Sequence, residues 1–85
     1  MVQDMEFNYA QLRGFIIEHF GNIRNFSKFL GIGTTAVYER LGNKVPFTQR
    51  EIDKVANQAI DRPLTADEVS ALFFTHKVRK TVWLF

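Results

Sequence analysis

Residues 27–41 read SKFLGIGTTAVYERL. Two short helical patterns meet here at Gly31-Ile32-Gly33. Upstream, Ile23, Phe26 and Leu30 share one helical face, and Asn22 stands where an N-cap belongs. Downstream, Val37 and Leu41 point to the same side of a helix that starts near Thr34 and ends at Gly42-Asn43. Neither piece is long enough to be a stable helix alone. A short helix, a tight turn and a second short helix form a helix-turn-helix unit. The steric demands of that unit are met. Ser27 is small where the second helix crosses the first. Gly31 tolerates the positive φ of the turn. Ile32 locks the turn into the core, and Val37 holds the second helix from beneath.

The rest of the chain extends the pattern. Phe7-Asn8-Tyr9-Ala10-Gln11-Leu12 places Asn8 as a cap, Gln11 at the third helical position and Phe7 with Leu12 as a hydrophobic staple. Tyr9, Leu12, Ile16 and Phe20 follow at helical spacing up to Gly21, which predicts a first helix over 8–20. Thr48 with Glu51 is a capping box, stapled by Phe47 and Ile52, ahead of Val55, Ala56 and Ala59. Thr65 with Glu68 repeats the box, ahead of Val69, Leu72 and Phe73, and Pro63 precedes it in a loop. Five short helices are expected.

The tail, THKVRKTVWLF, is β-branched, aromatic and basic. Its alternation suits a strand that pairs elsewhere. The expected architecture is an all-α, compact five-helix domain over residues 1–74 with an extended C-terminal tail over 75–85.

Composition narrows the function. An 85-residue chain supports one small domain. It has no Cys and two His, so thiolate metal sites and disulfides are excluded. Neither His19 nor His76 belongs to a metal pair or a nucleophile–base arrangement. Catalysis, cofactors and metals are therefore not expected. No apolar run reaches membrane-spanning length, and MVQDMEF lacks the features of a signal peptide, so a cytoplasmic chain is expected.

Charge is segregated. Residues 20–50 carry Arg24, Lys28, Arg40, Lys44 and Arg50 against Glu39 alone. Residues 75–85 add Lys77, Arg79 and Lys80, whereas 51–74 is acidic. Such segregation suits a polyanionic partner and equally a solvated mixed surface.

The sequence resembles the small Cro/repressor-class helix-turn-helix regulators of temperate bacteriophages. The resemblance spans about residues 7–78. It rests on FNYAQLRG, NFSKFLGI, LGNKVPFTQREI and FFTHKV. It implies a lambda-repressor-like DNA-binding domain that acts as a homodimer on operator DNA in a bacterial host. Three features depart from the family pattern. Ser27 stands where Ala is usual, and Gly33 where Ser or Thr is usual. The second helix also lacks an initial Gln.

Expected roles follow from the motif. With the third helix in the major groove, Thr34, Thr35, Tyr38 and Glu39 face base edges. Arg24, Lys28, Arg40, Asn43 and Lys44 face backbone phosphates. Each has a bland alternative: one threonine as N-cap, Tyr38 as core padding, Glu39 in local charge pairs, and the cations as ordinary surface. Val78, Val82, Trp83, Leu84 and Phe85 are the candidates for a dimer or partner contact. The competing expectation is a phage modulator or antirepressor that binds a repressor protein instead of DNA.

Overall fold

The computed structural model describes residues 6–76. The chain folds into five helices: α1 (Ala10–Phe20), α2 (Ile23–Leu30), α3 (Thr34–Leu41), α4 (Gln49–Gln58) and α5 (Ala66–Phe73). The fold is all-α, as expected. Tail residues 77–85 and the expected contact residues Val78, Val82, Trp83, Leu84 and Phe85 lie outside the described residues.

Local signals start most of the helices. The Asn22 side chain accepts a hydrogen bond from the Asn25 amide and opens α2. Both capping boxes form, Thr48 with Glu51 at α4 and Thr65 with Glu68 at α5. Each satisfies two amide donors that a helix start leaves orphaned. Arg62 reinforces the second box. Its guanidinium donates to both oxygens of Glu68 and, with the Thr65 amide, holds that carboxyl at about 2.

One expected boundary shifts. The first helix begins at Ala10 rather than residue 8, with Tyr9 at its N-cap position. The cause is a competing use of the backbone. The Asn8 amide donates to the Thr75 carbonyl at 2.6 Å, and Phe7 forms an antiparallel bridge with His76. That pairing keeps residues 7 and 8 out of the helix. Asn8 still serves the helix start, because its side chain accepts from the Ala10 amide. The α3 helix ends at Gly42-Asn43 as expected, and Gly42 itself is not left-handed. Its φ is −89°, and Asn43 takes φ 63° instead.

One apolar cluster holds the helices together. Leu12, Ile16, Phe26, Leu30, Val37, Leu41, Val55 and Phe73 are buried in it. Phe26 meets Phe20 edge to face at 5.2 Å, and Phe47 bridges Tyr9 and Phe73 in the same way. Full burial of one such ring stabilises by roughly 1.5–3 kcal/mol. Ile32, expected in the core, is half-buried against it.

Among the described residues no helix is long and apolar enough to cross a membrane.

Candidate nucleic-acid interface

The turn between α2 and α3 is built as its sequence requires. Gly31 sits at φ 78° and its amide donates to the Ser27 carbonyl, so α2 ends abruptly. A side chain at that φ is strained by roughly 1–2 kcal/mol. Ser27 is buried at 4% exposure and its hydroxyl turns back onto the Arg24 carbonyl. The small residue therefore leaves room for the crossing helix and leaves no polar atom stranded.

Gly33, not a threonine, occupies the N-cap of α3, and no side chain caps that helix. Thr34 and Thr35 are both inside the helix and exposed. Gly33 is extended, and a Cβ there would meet nothing within 4 Å. Gly33→Ser is expected to raise stability by about 0.5–1 kcal/mol, through a new cap and a less flexible unfolded chain. A urea melt monitored by circular dichroism reads this directly. An unchanged midpoint would mean that the hydroxyl fails to reach the α3 amides.

The remaining candidates divide into two groups. Thr34, Thr35, Tyr38 and Glu39 are exposed together on α3, with Tyr38 at 56%. Val37 and Leu41 form the buried stripe; helical spacing sets Thr35 and Glu39 opposite it, Tyr38 at its edge and Thr34 in line with it at the exposed helix start. Arg24 and Lys28 are exposed one turn apart on α2, and Lys44 is exposed after α3. These seven residues keep their side chains exposed.

Arg40 and Asn43 do not. Arg40 was expected to face phosphate, yet its guanidinium turns into the protein. Its Nε donates to one oxygen of Glu51 at 2.8 Å and its Nη2 to the other at 3.1 Å. A third donor, Nη1, holds the Ala36 carbonyl at 3.0 Å. The two side chains are only 13% and 4% exposed. Burial alone would raise the Glu51 carboxyl; hydrogen bonds from Arg40 and Thr48 outweigh it and hold the group below its ordinary value. Asn43 was also expected at phosphate. Its side chain instead accepts from the Phe7 amide and donates to the Phe7 carbonyl, each at 2.9 Å. Both groups are consumed by the fold because each satisfies a partly buried polar partner.

Arg13 is exposed on α1 and lines a hollow of about 360 Å³ beside the end of α3, with Asn8, Tyr9, Leu41 and Asn43. It lies outside the two-helix motif, so motif spacing gave it no role. Among the described residues no group of three His, Asp or Glu side chains could hold a metal ion.

A family profile described as "Protein of unknown function (DUF739)" matches residues 5–76. Curated proteins yield no match.

Proposed function

The chain belongs to the DUF739 family, and we propose that it is a sequence-specific double-stranded DNA-binding regulator of transcription, a Cro-like repressor that inserts α3 into the major groove. One observation carries the reading. The α3 helix is anchored by a single stripe while Thr34, Thr35, Tyr38 and Glu39 remain exposed, with Arg24, Lys28 and Lys44 around them. Groove reading needs this arrangement: a firmly held helix, a free face with hydrogen-bonding groups, and flanking cations for phosphate. The sequence resemblance to phage Cro/repressor regulators points the same way. A helix of this size reads only a few base pairs, so the reading includes a homodimer on a two-fold operator in the bacterial cytoplasm.

The test is a mobility shift with DNA from the gene's own upstream region, titrated with salt and excess nonspecific competitor. A discrete, competitor-resistant complex that weakens steeply with salt is the expected result. A folded protein that forms no such complex would overturn the reading.

A second reading has its own observation. The exposed α3 face carries an acid, Glu39, and its neighbouring cation Arg40 is spent on Glu51. Such a face suits a protein surface as well as a groove. The alternative is a modulator or antirepressor that binds a repressor protein, and failure of the mobility shift makes a pull-down against the repressor of the same genome the deciding experiment.

A further inference from the structure

We propose that Arg40 is a positioning residue: its fork onto Glu51 fixes the roll of α3 about its own axis and thereby sets sequence discrimination. The proposal rests on the DNA-binding reading above.

Among the described helices, α3 packs closely against α2 alone. Within the helix its buried anchors are Val37 and Leu41, and just past its end Asn43 is tied to Phe7. Apolar contact is non-directional, so a stripe of two such residues resists separation better than rolling. A planar guanidinium fork supplies the missing direction, because both of its hydrogen bonds hold only in one orientation.

The tie is continuous from one backbone to the other. Arg40 Nη1 grips the Ala36 carbonyl within α3. Nε and Nη2 grip the two Glu51 oxygens. One of those oxygens also accepts from the Thr48 amide, and the Thr48 hydroxyl accepts from the Glu51 amide. The tie therefore runs from the backbone of α3 to the first turn of α4, across a gap that no close helix packing fills. Water competes little, since both side chains are nearly buried. A rolled α3 would swing Thr34, Thr35 and Tyr38 off their base edges, and base readout tolerates displacements of only about 0.5 Å.

Arg40→Lys tests this. It keeps the charge and any attraction to phosphate but loses the planar fork. Binding is measured on the upstream fragment and on a scrambled fragment of equal length, across a salt series. Discrimination between the two is expected to fall about tenfold, the scale of one good base contact. Affinity for the scrambled fragment and the salt slope stay within about twofold. Equal weakening on both fragments, with discrimination between them unchanged, would show that the fork does not act through base readout and would overturn the proposal.

Residual dipolar couplings on the free protein give an independent readout. Those of α3 are expected to change relative to α1, α2, α4 and α5, and unchanged α3 couplings would also overturn the proposal. This readout needs no DNA, so failure of the DNA-binding reading and failure of the tie are told apart. If Arg40→Lys does not fold, Glu51→Gln carries the same measurements, because its amide oxygen still accepts from Thr48 while the charged fork is lost.

Discussion

Arg40→Met is expected to lower the free energy of unfolding by about 3–5 kcal/mol at neutral pH, the usual result of stranding one partner of a buried ion pair. The loss is severe for a domain of this size, whose whole stability lies near the low end of about 5–15 kcal/mol. Glu51 would remain 4% exposed with its charge opposed only by the Thr48 amide. Adding Glu51→Gln should recover much of the loss. The glutamine oxygen still closes the capping box, and no buried charge is left. A denaturant titration of the two variants against wild type decides this. A deficit below about 1 kcal/mol would place the pair among ordinary surface ion pairs.

The same pair has a defined pH signature. In the wild type the Glu51 carboxyl lies below its ordinary 4.5. Its stabilisation is therefore complete above pH 4.5 and is lost as pH falls through the lower, folded value. In Arg40→Met the balance reverses, because burial without the guanidinium raises the carboxyl. Protonation then relieves the bare charge. The gap between wild type and variant is expected to be widest at neutral pH and to narrow in acid.

The second large effect concerns binding. Replacing Arg24, Lys28 and Lys44 together by Gln removes six cations from the proposed homodimer and should weaken DNA affinity by more than about 10³-fold near 0.1 M salt, with the slope of log K against log salt reduced by about five. All three side chains are exposed, so the fold should persist. Fluorescence anisotropy across a salt series measures both quantities. An unchanged slope would show that these cations face solvent rather than phosphate.

The distance between the residues of a contact explains what the sequence revealed. Thr48 and Glu51, Thr65 and Glu68, and Asn22 with the Asn25 amide are local devices, and all three are legible in a few letters. Gly31 announced its left-handed turn for the same reason. Arg40 was misread because its partner lies 11 residues away on another helix. No periodicity links the two, although Arg40 borders the buried stripe of Val37 and Leu41, and that edge position was a usable signal. Asn43 was misread because its partner Phe7 is 36 residues distant. The start of α1 moved for the same kind of reason, since Asn8 answers to Thr75. The exposure of Thr35 and Glu39 was legible because helical spacing alone sets them opposite Val37 and Leu41.

That separation bears on how such a chain can change over generations. Thr34, Thr35, Tyr38 and Glu39 are all exposed, while the polar ties that hold the helix belong to Arg40 and Asn43. Exposed substitutions of this kind usually shift stability by no more than about 0.5 kcal/mol. Four letters in two pairs can therefore drift almost neutrally with respect to folding, and under the proposed DNA-binding role such drift would rewrite what the helix recognises. Under that role, lineages descended from one such scaffold would diverge in target without passing through an unfolded ancestor.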